Sequence, residues 1–377
     1  FSSINSSTFS SRILIGIEPK LKMWSWKSLI SKIEDLDVKP RGTAFEWFCK
    51  FYLLSSPKYR LYYDKVWHFS EFVKDGKHQS KLRLPDPEQG TDLVALRKDG
   101  GYEIIQCKYK NNINKNIVLD DIHSSLTTAS YSPTTKYVDT VLMCSNLQGL
   151  TQNKELLKHP KTVHSIDGGV FETLTDEDFK NIRKAVKDQI PVYKAKKPLP
   201  HQKKAIIESL KRFKKETRGK LIHACGTGKT LTSYYLYQEM KPGLTLFLVP
   251  SLQLINQTLT EWCLESLANK KPISPFIVCS DETNERVPEN DPNLWLQELG
   301  IKVSTKAADI KAFVDSKRPR KVIFSTYKSS PELGKALKKL KITPDFAFFD
   351  EAHNTVNKET NGYLLLDKNL PIKKRLF

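Results

Sequence analysis

The chain has 377 residues, 39% hydrophobic and 27% charged, which is enough apolar content for two or three packed domains and too much for a disordered chain. The 61 Lys and Arg against 42 Asp and Glu give a formal net charge of +19, which favours a polyanionic partner, either nucleic acid or an anionic surface. No apolar run approaches the roughly 18 residues needed for a membrane-spanning helix, so an integral membrane protein of that kind is excluded.

In chain order, residues 1–22 are Ser-rich with a single acid, Glu18. They read as a disordered leader ahead of a start at Met23, with a weak likeness to a transit peptide and so to a mitochondrial address. A helical pattern covers 24–54, with apolar positions in 43–52 at i, i+3, i+4 and i+7 and a start at Gly42-Thr43. Short β-like pieces follow at Val66-Trp67 and at 82–84, then a Pro85-Asp86-Pro87 turn. A hairpin is predicted from 92–96 and 102–108. A helix near 118–129, a strand at 140–144 and a helix at 175–189 complete a first domain over 23–189. Six cysteines are scattered through the chain (Cys49, Cys107, Cys144, Cys225, Cys263 and Cys279) with no Cys-x-x-Cys pair. That argues against a zinc knuckle and suits a reducing, cytoplasmic compartment.

Residues 191–220 hold 11 Lys and Arg against two acids, Glu208 and Glu216, with prolines at 191, 198 and 200. They read as a linker (190–199) and a basic helix (200–216). From 220 onward, strands at 220–224, 243–249, 275–279, 321–325 and 345–350 alternate with helices near 228–240, 251–267 and 331–340. That alternation predicts a parallel sheet with crossover helices in a second domain, 200–377. Residues 281–320 read as polar loop.

Two segments of this second domain carry chemistry. In 221–230, an apolar run enters Cys225-Gly226-Thr227-Gly228-Lys229-Thr230. The glycines let backbone N–H groups wrap a phosphate, Lys229 reaches the β- and γ-phosphates, and Thr230 ligates Mg²⁺. Ala224 stands near where the general pattern has its first glycine. The bland alternative is a structural glycine turn. The apolar run 346–349 then delivers Asp350-Glu351-Ala352-His353, 121 residues after Lys229, at the strand end where ligands bind in open α/β sheets. Asp350 would hold Mg²⁺, Glu351 would activate the attacking water, and His353 would sense the γ-phosphate. The bland alternative is an acidic helix cap.

On these motifs residues 198–377 resemble the first, RecA-like motor domain of a superfamily 2 DEAH-type helicase or translocase. Within that resemblance Gln202, in Pro198-Leu199-Pro200-His201-Gln202, matches the adenine-reading glutamine, without the arginine often found beside it. Val249-Pro250-Ser251 and 324–327 match segments that touch a nucleic-acid backbone. The family continues into a Thr-Ala-Thr segment and a second RecA-like domain with an arginine finger. The chain therefore reads as a fragment, truncated before that domain, expected to bind ATP weakly and hydrolyse it poorly by itself.

The hairpin carries a second chemistry. With a loop at Asp99-Gly100-Gly101, Lys98 pairs with Tyr102 and Asp92 falls opposite Lys108. Asp92, Gln106 and Lys108 then share a face, and Glu103 points away from it. This arrangement resembles the PD-(D/E)xK nuclease core in its Mrr-like restriction-endonuclease form. There Gln106-Cys107-Lys108 gives the Gln-x-Lys pair, and Glu46 on the early helix matches an additional carboxylate. The resemblance implies that Asp92 and Glu46 bind Mg²⁺, aided by the Gln106 amide oxygen or the Cys107 carbonyl, with Lys108 stabilising charge or orienting water. The bland alternatives are a turn cap for Asp92, a solvated strand end for Lys108 and an i,i+4 pair between Glu46 and Lys50.

The expected whole is α/β: an Mrr-like endonuclease domain followed by a RecA-like P-loop domain, as in single-chain prokaryotic restriction enzymes of Type II, III or ISP kind. ATP and Mg²⁺ are the expected cofactors and duplex DNA the expected partner. No membrane and no small-molecule substrate other than ATP is expected. The linker and first motor helix carry Lys194, Lys203, Lys211 and Lys214 among other cations; phosphate contact is expected somewhere on this basic surface, and the sequence does not mark which lysines make it. The main alternative is a helicase or translocase whose front domain only binds DNA. A nucleotide-binding protein without a nucleic-acid role is disfavoured by the charge and the Asp-Glu-Ala-His box.

Overall fold

The computed structural model describes residues 25–84, 90–112, 117–118, 121, 123–131, 138–147, 163–224, 226–279, 299–352 and 363–377. The leader, the Pro85-Asp86-Pro87 turn, Cys225 and His353 lie outside the described residues. The chain divides into two compact units, Phe1–Val192 with Gln297–Ile301, and Tyr193–Leu296 with Lys302–Phe377.

The first unit has one mixed sheet in the order β1-β2-β3-β4-β5. Its strands are β1 (Tyr63–His68), β2 (Leu93–Arg97), β3 (Tyr102–Lys108), β4 (Val138–Cys144) and β5 (Val163–Ile166). The first three are antiparallel neighbours, and β4 and β5 continue in parallel from β3. The described helices are α1 (Trp26–Glu34), α2 (Val38–Ser55), α3 (Pro57–Tyr62), α4 (Phe69–Phe72), α5 (Gly76–Leu82), α6 (His123–Tyr131), α7 (Gly168–Glu172) and α8 (Asp176–Val186).

Several expectations are corrected here. The helical pattern over 24–54 is two helices broken at 35–37, and the second starts at Val38 rather than at Gly42-Thr43. Pro40 falls in its first turn, where its missing N–H is no loss. Residues 82–84 are not a strand: Leu82 ends α5, and Arg83 at φ +50° caps it in the left-handed region. The helix expected from 118 begins at His123.

The middle of α2 is buried on nearly every side, with Phe45, Trp47, Phe48, Cys49, Phe51 and Tyr52 all inside. Trp26 and Phe171 close on Phe48 at centroid distances of 5.4 and 5.2 Å. Such aromatic pairs contribute about 0.5–1.5 kcal/mol each beyond their buried area. Glu103 points away from the Gln106 face and is structural. It accepts from the Tyr62 hydroxyl (2.5 Å), the Tyr63 hydroxyl and Arg97 (3.3 Å), and Arg97 also pairs with Asp99 and Asp139. Arg97 and Glu103 are almost wholly buried, so each charge depends on the other for compensation.

Asp167 caps α7 through the Val170 N–H, yet burial pushes its carboxyl up to about 6. The unfolded chain releases this proton at lower pH than the folded one. Stability is therefore lost as pH rises from the ordinary carboxylate value through about 6. Asp167→Asn keeps the cap acceptor and removes the buried charge. It is expected to match the parent below about pH 4 and to be more stable at pH 7 by on the order of 2 kcal/mol. Thermal melts across that pH range check this, and a gap of the same size at acid pH would contradict it.

The second unit has a six-stranded, wholly parallel sheet in the order β6-β11-β10-β7-β9-β8. The strands are β6 (Arg218–Gly219), β7 (Leu244–Val249), β8 (Ser274–Val278), β9 (Lys321–Thr326), β10 (Phe346–Phe349) and β11 (Lys374–Leu376). The helices are α9 (Pro200–Arg212), α10 (Lys229–Met240), α11 (Leu252–Ala268), α12 (Ala307–Asp315) and α13 (Ser330–Lys339). The strand expected at 220–224 is shorter and earlier, at Arg218–Gly219, followed by one further bond from the Leu221 N–H to the Phe377 carbonyl (2.7 Å). The basic helix ends at Arg212 rather than 216. Residues 307–315, read as loop, form α12 because Ile310 and Phe313 seat it on the sheet.

One face of the sheet is an aromatic plate. Phe247 lies in register with Phe324 and Phe348 on the two flanking strands, and Trp262 of α11 covers all three. The Trp262 indole N–H donates to the Thr230 carbonyl (3.2 Å), so this core fixes the first turn of α10. The linker reading also changes: residues 191–199 have no regular structure, but from Tyr193 they belong to the second unit. The Lys196 N–H is held by the buried Glu265 carboxylate (3.1 and 3.3 Å), and the Lys196 carbonyl accepts from the Tyr235 hydroxyl. Among the described residues no helix is long and apolar enough to cross a membrane.

Candidate active sites

In the second unit the loop before α10 turns through Gly226 at φ +75° and Gly228 at φ +78°, a region that glycine enters without steric cost. A Cβ at Gly228 would lie 2.4 Å from the Gln202 amide nitrogen. The loop closes on itself where the Thr227 hydroxyl donates to the Ala224 carbonyl (2.7 Å). The first N–H groups of α10, with Gly228 before them, form an anion-binding helix end beside Lys229.

Lys229, Thr230 and Asp350 line one open cleft of ≈ 380 Å³ at the carboxyl ends of the strands. The Lys229 ammonium pairs with Glu351 at 2.6 Å. Burial, reinforced by the neighbouring charge of Glu351 and opposed by Lys229, raises the pKa of Asp350. Burial lowers the pKa of His223, and His201 and Lys229 add to that. Glu351 itself has φ +52°, a conformation costing on the order of 1–3 kcal/mol for a non-glycine residue.

Gln202, the expected adenine reader, packs against the phosphate loop. It is buried and donates to the Thr227 (3.0 Å) and Gly228 (3.1 Å) carbonyls, while its oxygen accepts from the Leu199 N–H (2.8 Å). In this state it braces the phosphate loop. His201 also reaches the Thr227 carbonyl (3.1 Å). Neither contact is visible in a motif, because both join segments some 25 residues apart.

In the first unit the hairpin register differs from the expected one. Leu96 pairs with Tyr102 and Leu93 with Ile105, and Arg97 bonds to Gly101 across a loop of Lys98-Asp99-Gly100 with Gly100 at φ +88°. The three-residue loop with a left-handed glycine sits one residue earlier than predicted. Asp92 therefore lies opposite Gln106 rather than Lys108. A shift of two in pairing preserves the shared face, because the side-chain period is two.

With its amide oriented so that donors meet acceptors, Gln106 donates to the Asp121 carbonyl and the Ser125 hydroxyl and accepts from the Lys108 ammonium, all at 3.1 Å. Its oxygen holds Lys108. Gln106 is 2% exposed, and a neutral amide there avoids the desolvation that a carboxylate would incur. The Asp92 carboxylate accepts from the Cys107 N–H at 2.5 Å.

Glu46 does not pair with Lys50. Lys50 pairs with Glu71 (2.6 Å to both oxygens), and Glu46 meets His68 Nε2 at 3.1 Å. Glu46 comes from α2 on the Cys107 face of β3, whereas Gln106 and Lys108 face α6. Asp92 immediately precedes β2, beside the end of β3, where it accepts from the Cys107 N–H. Both Glu46 and Asp92 act on the buried thiols Cys49 and Cys107, whose pKa values are raised first by burial and further by these carboxylates. Both carboxylates therefore lie within electrostatic range of the same pair of thiols.

Sequence reasoning missed His68. Its ring stacks on Trp47 (4.6 Å, 5°) and its Nδ1 meets the Ser70 hydroxyl (2.8 Å). The signal available was a His-x-x-Glu cap at a strand end, with Glu71 accepting from the His68 N–H (2.9 Å). Among the described residues no three His, Cys, Asp or Glu side chains gather as a metal cage. Two hard carboxylates still suit Mg²⁺, which binds through one or two and keeps its waters.

A mixed sheet carrying a Gln-x-Lys strand, followed by a parallel sheet with a phosphate loop facing an Asp-Glu strand end, defines a nuclease-type domain joined to a helicase-type ATP-binding domain. Residues 54–185 match the family model of a restriction endonuclease. Residues 195–374 match that of the Type III restriction enzyme, res subunit. The chain is thus a restriction-endonuclease domain followed by a res-subunit helicase domain. It is similar to the ATP-dependent Type ISP restriction-modification enzyme LlaBIII bound to DNA, at 25% identity and TM-score 0.73, over 94% of this chain and 22% of that one. A nuclease-deletion mutant of the Type ISP enzyme LlaGI, in complex with a DNA substrate mimic, is 30% identical over 48% of this chain and 17% of its own, with TM-score 0.38. The chain therefore spans about a fifth of the length of LlaBIII. No curated protein matches the chain.

Proposed function

We propose that this chain supplies the nuclease and the first ATP-binding domain of a cytoplasmic enzyme that cleaves duplex DNA in an ATP-dependent way. One observation carries the reading. A single chain holds both a strand end bearing Asp92, Gln106 and Lys108 and a cleft bearing Lys229, Asp350 and Glu351.

In the cleft, Lys229 and the loop N–H groups bind the β- and γ-phosphates, Thr230 and Asp350 hold the nucleotide's Mg²⁺, and Glu351 takes a proton from the attacking water. Binding of the γ-phosphate exchanges the Lys229–Glu351 pair for a lysine–phosphate contact, which releases the glutamate for the water. His353, which lies outside the described residues, keeps the role of γ-phosphate sensor that the resemblance gives it. Gln202 leaves the loop carbonyls for the adenine edge when nucleotide enters. At the hairpin, Asp92 and Glu46 hold a magnesium ion, and Lys108, steadied by Gln106, neutralises charge on the scissile phosphate. The metal supplies a water of lowered pKa and charge neutralisation.

The test uses the intact protein with duplex DNA. Cleavage is expected with ATP and Mg²⁺ together. It should be lost when either is omitted and when ATP is replaced by a non-hydrolysable analogue. DNA binding without any cleavage under all these conditions would leave the front domain as a DNA-binding module. ATP hydrolysis indifferent to DNA would point instead to a plain nucleotide-binding protein.

A further inference from the structure

We infer that Tyr327 is a positioning residue for ATP hydrolysis, acting by fixing the backbone that aims Glu351. The inference rests on the reading of the cleft as an ATP site and goes beyond it, since Tyr327 does not itself line the cleft and meets it only through the Phe349 ring and the Asp350 backbone carbonyl.

The geometry is a bridge across three strand ends. In the sheet β7 lies between β10 and β9. Tyr327 follows β9, its N–H donates to the Val249 carbonyl at the end of β7 (2.8 Å), and its hydroxyl donates to the Asp350 carbonyl beyond β10 (2.5 Å). The ring is buried, 3% exposed, and stacks on Phe349 with centroids 6.5 Å apart. A phenol is protonated at neutral pH, so the hydroxyl serves as the donor.

The bond matters because of the peptide to which that carbonyl belongs. The same peptide carries the Glu351 N–H, which is held by Asp350 Oδ1 (3.1 Å). Its orientation sets the left-handed φ of +52° at Glu351. A non-glycine residue keeps such a conformation only where its surroundings over-determine it. The Tyr327 hydroxyl on one side and Asp350 Oδ1 on the other supply that constraint. Without the hydroxyl, Glu351 relaxes toward ordinary backbone angles and its carboxylate leaves the Lys229 side of the cleft. The next residues are Lys328, Ser329 and Ser330, and the Thr326 and Ser329 hydroxyls bond each other at 2.8 Å. The segment leaving β9 is therefore tied mechanically to the hydrolytic strand end.

The test is Tyr327→Phe in the intact protein, which keeps the ring and removes only the donor. The kcat of ATP hydrolysis is expected to fall by about 10- to 100-fold, the size seen when an outer partner of a site residue is lost. The KM for ATP and the affinity for a fluorescent ATP analogue should stay within twofold. In a Glu351→Gln background, adding Tyr327→Phe should lower the residual rate no further, because the two changes share one path. An unchanged kcat, a rise in KM in place of a fall in kcat, or a loss of the same size in both backgrounds would each overturn the inference. Melting curves and analogue binding show whether Tyr327→Phe is folded. Should it fail to fold, the inference is also overturned, since the hydroxyl would then serve the fold and not the glutamate. Lys229→Ala tested alongside keeps the two claims apart: hydrolysis persisting there refutes the ATP site itself and not the role of Tyr327 within it.

Discussion

Lys229→Ala is expected to lower kcat/KM for ATP hydrolysis by ~10³-fold or more, because Lys229 is the only cation among the described residues that line the cleft and transfer to water depends on electrostatic stabilisation. The local electrostatics make the loss larger than a missing contact. Lys229 sits 2.6 Å from Glu351 and opposes the burial that raises Asp350. Removing the ammonium leaves two carboxylates together with a reduced counter-charge, and an incoming triphosphate adds more negative charge to the same place. Both binding and turnover should therefore suffer. Glu351→Gln is the informative contrast: it removes the proton acceptor but keeps the cation, so nucleotide binding should survive while kcat falls by ~10²-fold or more. Steady-state hydrolysis and titration with a fluorescent nucleotide, measured on both variants, separate the two roles. A Lys229→Ala protein that binds and hydrolyses like its parent would remove the basis for the motor reading.

How much of the structure is legible in the sequence depends on how far apart the interacting groups lie. The strands β7, β9 and β10 were readable because they are continuous apolar runs in a doubly covered sheet. The phosphate loop and the Asp350-Glu351 pair were readable because phosphate chemistry demands contiguous residues. β5 has only four residues, and β6 only two, too short for periodicity to register. α12 was lost in a polar stretch because only Ile310 and Phe313 mark its buried side. The hairpin parity was legible and its register was not, since placing the loop one residue later shifts every pair by two while leaving the faces unchanged. His68 and the bond from Tyr327 to Asp350 escaped because the partners, Glu46 and Asp350, lie 22 and 23 residues away in sequence. Likewise, the bonds from Gln202 to the Thr227 and Gly228 carbonyls join segments that no local pattern links.

For the hairpin, Lys108→Ala is expected to reduce Mg²⁺-dependent DNA cleavage by ~10²- to 10³-fold while ATP hydrolysis stays near the parental rate, because the change removes a charge aimed at the scissile phosphate. Gln106→Ala should act more weakly, by about 10- to 100-fold, since it only frees a lysine that it now holds at 3.1 Å. Asp92 needs a more discriminating change. Its carboxylate accepts from the Cys107 N–H, so Asp92→Ala would confuse loss of a structural cap with loss of a metal ligand. Asp92→Asn keeps an oxygen for that N–H and discards the charge. If Asp92 is a ligand, the asparagine variant should melt like the parent, lose cleavage by ~10²-fold or more, and require a higher Mg²⁺ concentration for what remains. If Asp92 is only a cap, the asparagine variant should cut DNA normally. A normal cut would also detach Glu46 from any catalytic role, because a metal shared between α2 and the hairpin requires the negative charge on both.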